Sequence, residues 1–272
     1  MRGNSLYDRP EPVRTALFAA DCSRCAGLCC TALYFGRGRE FPFEKPAGTT
    51  CKNLGADCRC TVHPQLERLG CHGCRVYECL GAGVRACALG QGRSREALGA
   101  LYLELAPLRE TLWYLHCAAS LAPAAALCGE LEQMLADGFA MEEKIAGTGV
   151  PAAERTQFEE RARVLLRSAI ALCCRAAAPK GGLRRVREGV GRRFAGDWSG
   201  ADFGMALLLA ADFRGARLAG ANFLAADLRD ADLRGADLSE SLFLTPMQLA
   251  SARGDAATAL PPLLTRPETW AD

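Results

Sequence analysis

GDWSG ADFGM ALLLA ADFRG ARLAG ANFLA ADLRD ADLRG ADLSE SLFLT is the chain from 196 to 245, cut into fives. The third place of every block is large and apolar: Trp198, Phe203, Leu208, Phe213, Leu218, Phe223, Leu228, Leu233, Leu238 and Phe243. Two places earlier stands Ala in eight of the ten blocks, with Gly196 and Ser241 at the ends. A period of five fits neither the 3.6 of a helix nor the 2 of a strand. One large and one small inward residue per block imply a turn at every block, with the chain winding about a tight apolar axis. Self-similarity at a short fixed period marks a solenoid.

These blocks closely resemble the pentapeptide-repeat family. The resemblance implies a short right-handed quadrilateral β-helix over 196–245, with four blocks per coil. Ten blocks then make two and a half coils, and so short a stack needs caps. Residues 246–272 are expected to form a helical C-terminal cap. Thr245-Pro246-Met247-Gln248 reads as a helix start, with Thr as N-cap, Pro at N1 and Gln at N3. Gly254 is expected to stop that helix, and Trp270 to fold back over the last coil. The ending QLASARGDAATALPPLLTRPETW, 248–270, is similar to the tails of other pentapeptide-repeat proteins.

Upstream, the chain is organised around sulfur. Residues 22–87 hold eleven of the fifteen cysteines, about 17% of that stretch, against a usual ceiling of about 8–10%. The spacings are Cys22-x2-Cys25-x3-Cys29-Cys30, then Cys51-x6-Cys58-x-Cys60, then Cys71-x2-Cys74-x4-Cys79 and Cys87, with His63 and His72 among them. Close Cys pairs on short turns can direct two thiolates at one metal ion. Zinc takes four such ligands, and so do iron–sulfur clusters. Neighbouring side chains diverge, so Cys29-Cys30 suits two neighbouring sites or a bridged cluster better than one ion. A disulfide framework needs an oxidising compartment. Residues 1–22 lack a continuous apolar core of signal type and carry Asp8, Glu11 and Arg14, and fifteen thiols cannot all pair.

The run CSRCAGLCC (22–30), Cys51 with Leu54 three on, CRCTVH (58–63) and GCRVYEC (73–79) resemble the zinc- or iron-chelating cysteine-cluster family of YkgJ type. Carried over by position, the resemblance implies Cys22, Cys25, Cys29, Cys30, Cys51, Cys60, Cys74 and Cys79 as metal ligands. Cys58, Cys71 and Cys87 are extra to that pattern and, with His63, are additional candidates. After a loose lead-in over 1–20, the region 1–91 is expected to be loop-rich and held by its metal. Gly36, Gly38, Pro42, Pro46 and Gly48 punctuate it, and it lacks the apolar periodicity to build a core alone.

Between the two lies helix. Leu98, Leu101, Tyr102, Leu105, Leu108, Leu112 and Leu115 recur at three- and four-residue steps, which predicts an amphipathic helix that Pro107 kinks or divides. A second helix is expected over about 123–145 and a third over 152–177, with Phe158, Ala162, Leu165, Leu166, Ala169 and Leu172 inward. Short connections make a small antiparallel bundle over 92–178, and Cys117, Cys128, Cys173 and Cys174 read as core residues. Residues 179–195 read as a basic Gly-rich linker that includes Lys180, Arg184, Arg185, Arg187, Arg192 and Arg193. The architecture is thus multidomain.

Formal net charge is +2, so no global field argues for nucleic acid. The longest uncharged stretch, Thr111 to Gly129, contains His116, Ser120 and Pro123 and fits two helix ends around a turn rather than a membrane span. A cytoplasmic protein is expected. No Walker loop, HExxH pair or Ser elbow occurs, and Gly81–Ala86 imitates a dinucleotide fingerprint without the preceding strand. His116 reads as a core residue, and no catalytic residue can be placed. The reading is a metal-binding cysteine-cluster protein, zinc or iron–sulfur, whose solenoid serves an unidentified protein partner. One alternative is an iron–sulfur redox or accessory enzyme. The other is a topoisomerase-binding DNA mimic, which needs a long acidic rod. Residues 196–245 carry eight acids against four Arg, and Asp197, Arg217 and Asp237 stack as a mixed ladder.

Overall fold

The computed structural model describes residues 5–7, 12–178 and 182–270. Part of the expected lead-in, and Lys180 of the expected linker, lie outside the described residues. In chain order the helices are α1 (Pro12–Ala16), α2 (Leu28–Ala32), α3 (His72–Val76), α4 (Ala82–Leu89), α5 (Arg95–Ala119), α6 (Cys128–Gly147), α7 (Ala152–Ala177) and α8 (Pro246–Ser251). The chain forms two compact units. One joins the described residues up to and including Pro12, Tyr114–Leu135 and the chain from Glu160 on; the other is Val13–Trp113 with Ala136–Glu159. The residues expected as one helical domain, 92–178, are shared between them.

In the first unit the period of five becomes a turn of five. Gly200, Met205, Ala210, Gly215, Gly220, Ala225, Asp230 and Gly235 all have φ between 53° and 66°. At each corner the amide after that residue donates to the carbonyl of the block's large residue, as in Ala206 to Phe203 (3.0 Å) and Ala216 to Phe213 (2.9 Å). A positive φ at the third residue of such a turn is what a type II turn requires. The second residue of each block pairs in parallel with its counterpart twenty residues on: Asp197 with Arg217, Asp202 with Asn222, Leu207 with Asp227, Asp212 with Asp232. Four such pairs per twenty residues define a four-sided coil.

The stack is taller than two and a half coils. Arg185, Glu188 and Arg193 pair in parallel with Asp202, Leu207 and Asp212. The described part of 179–195 is therefore the first coil and not a linker. Its Phe194 is fully buried and stacks on Phe213 at 4.7 Å. Its arginines lie on solenoid partners: Arg187 donates to Asp202 at 2.8 Å, and Arg184 covers the Trp198 ring at 4.2 Å. Beyond the blocks, Arg253 and Ala259 pair with Asp232 and Asp237.

Phe203 and Phe223 stack at 5.2 Å with rings 11° apart. Phe243, expected to continue that column, leaves it: its φ is 60°, it meets Tyr114 edge-on at 6.3 Å, and Leu244 joins the solenoid core. The cap begins as read, with Thr245 and Gln248 forming a reciprocal capping box on α8. Gln248 Nε2 also donates to the carbonyls of Phe223 (2.9 Å) and Ala226 (2.8 Å), supplying donors that a further coil would otherwise bring. Gly254 does not stop α8, which ends at Ser251. It lies under the Trp270 ring, where a Cβ would come within 2.3 Å. Trp270 Nε1 donates to Leu249 (3.1 Å) and Ala252 (3.0 Å).

The last turn of α7 sits against one corner of the coils. A Cβ at Gly200 would stand 2.4 Å from the Cys174 carbonyl, and one at Gly220 2.3 Å from Ala177 Cβ. Two corners twenty residues apart thus need glycine for both φ and space. The last turn of the helix lies along this side of the coils. Cys117, Cys173 and Cys174 are buried as read, whereas Cys128 is half-buried and Leu172 points outward.

In the second unit the first half of α5, through Tyr102 and Leu105, packs with Leu28, Ala32, Ala82, Ala86 and Ala146. The cysteine region therefore does contribute to an apolar core, because α2 and α4 lay their small faces on a long helix. Glu142 is fully buried between Arg109 (2.8 Å) and Arg85 (2.7 Å). Helix α5 continues through Pro107.

Phe223→Ala removes the fully buried ring that lies on Phe203 and edge-on to Phe213. A cavity at the axis of a tight coil cannot close, so the substitution should cost about 3–5 kcal/mol, read as a lowered denaturant midpoint. A loss under about 1 kcal/mol would contradict this packing.

Candidate functional site

All fifteen cysteines are free thiols. Cys25 lies two residues before Gly27, whose φ of 68° opens α2. Burial, with the nearby Cys87 and Cys79 thiols, pushes Cys25 up to about 11, while the backbone amides of Leu28 and Gly27 favour its thiolate. Cys79 ends the segment before Gly81, whose φ of 74° opens α4. Burial raises Cys79, against the amides of Gly83, Gly81 and Ala82. Gly83 holds the two together: a Cβ there would stand 2.7 Å from Cys25 Sγ and 3.9 Å from Cys79 Sγ. Cys25, Cys29, Cys79 and Cys87 all pack against the apolar cluster around Tyr102. Cys22 is raised by burial and then by Cys79 and Cys30. Ala26 N donates to Cys87 Sγ at 3.2 Å.

Cys29 and Cys30 are consecutive on α2, with sulfurs 4.0 Å apart. The hydrogen bond between them, with burial opposing and Lys45 assisting, brings Cys30 down to about 7; the same bond raises Cys29. Beyond Cys30 a second group gathers. Cys51 N donates to the Cys30 carbonyl at 2.9 Å. Leu54 and Cys60 close a short antiparallel turn, and Cys60 is raised by burial, opposed by the Val62 amide, with Cys30, Cys51 and Cys71 nearby. Cys74, in α3, is pushed up to about 12 by burial and by Cys30, Cys71, Cys51 and Cys60. Thiols this close cannot all ionise without a cation to offset their repulsion.

One such cation was not legible in the sequence. Lys45 is 4% exposed. Its ammonium donates to the carbonyls of Thr31 (3.3 Å), Pro46 (3.1 Å), Thr49 (2.8 Å) and Leu33, and lies 4.7 Å from the Phe35 ring centroid. Burial lowers its pKa; Cys51, Cys30 and Cys29 raise it.

The remaining candidates stand apart. His63 is exposed and His72 faces Glu67 at 3.5 Å. Cys58, at φ 63°, accepts from Arg95 at 3.2 Å. Among the described residues no three Cys, His, Asp or Glu side chains converge on one metal position. The donor chemistry nevertheless suits a thiophilic metal: grouped free thiols, backbone amides aimed at sulfur, and a glycine where a side chain would push Cys25 Sγ aside.

Residues 206–243 match the family model for pentapeptide repeats, in eight copies, so the repeat reading holds. Among curated proteins the chain is similar to the "Uncharacterized protein YybG" of Bacillus subtilis (strain 168), 35% identical over 121 residues, 42% of this chain and 43% of that protein. The chain thus spans less than half the length of that relative. Among solved structures it is similar to a pentapeptide repeat protein (Rfr23) from the cyanobacterium Cyanothece 51142, at 21% identity over 30% of this chain and 67% of that one, with a TM-score of 0.21. It is also similar to a pentapeptide repeat protein from the Arabidopsis thaliana thylakoid lumen, at 26% identity over 30% and 59%, with a TM-score of 0.15.

Lys45→Met would leave four inward carbonyls short of a donor. The full chain should lose about 3 kcal/mol in a denaturant titration. Lys45→Arg should not restore it, because a planar guanidinium cannot enter a cage shaped for an ammonium. Wild-type stability in either variant would show that the cage is dispensable.

Proposed function

We propose that residues 22–79 bind a thiophilic metal through cysteine thiolates, and that the pentapeptide repeats are a scaffold for a protein partner. The observation that carries the first part is the gathering of free, mostly half-buried thiols with amides directed at sulfur. Zinc or an iron–sulfur cluster fits four-thiolate ligation. Cys22, Cys25, Cys29, Cys30, Cys51, Cys60, Cys74 and Cys79 are the proposed ligands. Bound metal would cross-link loops that are otherwise joined by few backbone bonds, so its binding free energy would also be folding free energy.

The scaffold reading is supported by the block Ala206–Ala210, where Leu replaces the usual polar second residue. Leu207 there is 54% exposed, beside Met205 at 74%. On three other blocks the charges neutralise one another. Asp212, Asp227 and Asp232 each hold the Arg two residues on through both carboxylate oxygens, at 2.6–2.9 Å. Such pairing removes the uniform negative surface that a duplex mimic needs. Among the described residues no helix is long and apolar enough to cross a membrane.

Metal analysis and an absorption spectrum on anaerobically purified full-length protein test the metal reading. At least one equivalent of zinc or iron per chain is expected. Less than about one tenth of an equivalent, together with mapped disulfides among residues 22–87, would refute it.

A further inference from the structure

Resting on the scaffold reading, we infer that the side of the solenoid formed by residues 187–192 and 205–209 docks an acidic segment of a protein partner, apolar at its centre and carboxylate-bearing towards both ends. The first coil carries unmatched positive charge. Its described residues, 182–195, hold Arg184, Arg185, Arg187, Arg192 and Arg193, with Glu188 as their one acid. The second coil does not neutralise them. Asp202 takes both Arg185 (3.1 Å) and Arg187 (2.8 Å) on a single oxygen. Asp212 is already held by Arg214 through both oxygens, and Arg193 stands 3.8 Å from it. Arg192 lies over the Phe194 ring at 4.9 Å. Guanidinium charge is therefore left over on this coil, whereas Asp227 and Asp232 further along are each matched by their own arginine.

Exposed apolar side chains lie between these charges. Leu207 N donates to the Arg187 carbonyl (3.0 Å), and the amides of Gly189 and Gly191 donate to the carbonyls of Leu207 (2.8 Å) and Leu209 (2.9 Å). Val190 thus stands on the same side as Leu207 and one coil away, with Arg187 at one end of that side and Arg192 at the other. Val190, Leu207 and Met205 are all exposed. Apolar contact at the centre of such a surface supplies affinity, and the flanking charges select and orient the partner. Glu188 sets the pattern of the partner's charge. It is exposed mid-way along this side, paired in parallel with Leu207. A uniformly anionic surface, whether a nucleic-acid duplex or a lipid membrane, would meet its repulsion. A segment with an apolar centre and acidic ends does not. Nor is Trp198 offered to a base, since Arg184 lies over its ring at 4.2 Å and Arg192 at 5.9 Å.

The test is a binding titration of the full chain against defined probes. They are a labelled synthetic peptide with leucines at its centre and glutamates at both ends, the same peptide with lysines for the glutamates, a DNA duplex, and phosphatidylserine vesicles. The glutamate peptide should bind, and the lysine peptide about tenfold more weakly. Arg192→Glu and Leu207→Ser should each weaken the glutamate peptide by about tenfold. Both side chains are exposed, and thermal melting checks that both variants stay folded; the comparison of the two peptides on the wild-type chain needs no variant. Equal binding of the two peptides, binding of neither, or undiminished binding in either folded variant would overturn this surface and leave the scaffold reading standing. Tighter binding of the duplex or the vesicles than of the glutamate peptide would overturn both.

Discussion

A left-handed residue at every fifth position is the constraint on which the repeat unit depends. It turns the chain by one side of the coil, which keeps the large residue of each block inside and brings residues twenty apart into register. Met205, Ala210, Ala225 and Asp230 accept that conformation without being glycine, at a cost of about 1–2 kcal/mol each. The compensation is cooperative. Each coil bonds to its neighbours above and below, as Asp212 does to Arg192 (2.9 Å) and Phe213 to Asp232 (2.9 Å). Aromatic stacking at the axis adds apolar burial that no single block could supply.

The blocks were legible because this constraint repeats without a gap from Gly200 to Gly235. The outer coils were not, because their spacing departs from five: Arg185, Glu188 and Arg193 pair with residues 17 to 19 further on, and Arg253 and Ala259 with residues 21 and 22 back. Five-residue counting therefore read a basic linker where a first coil stands. Phe243 misled for the opposite reason, since its block keeps the pattern while its own positive φ ends the column.

In the cysteine region the candidate residues were legible and their grouping was not. Spacing along the chain describes Cys22 to Cys30 well, because a helix start fixes them. It cannot say where the loops return Cys51, Cys60, Cys74 and Cys79. Lys45 gave no signal, since a single Lys between Pro42 and Pro46 reads as solvated. Only the four carbonyls around it reveal its role. His63 carried ligand chemistry in the sequence; in the structure it is exposed, and its amide donates to the Cys60 carbonyl at 3.3 Å.

The two parts of the chain thus rest on different contacts: backbone ladders and stacked rings around the solenoid axis, and short helices with grouped free thiols in residues 22–89. The proposed metal binding implies that the second depends on metal and the first does not. Hydrogen exchange followed by mass spectrometry, on the full chain with and without a strong chelator, tests it most directly. Protection at Cys51, Thr61 and Cys74 should fall with chelator, while amides such as Asp212, Phe213 and Phe223 keep theirs. Loss of protection in both places together, or in neither, would contradict the account.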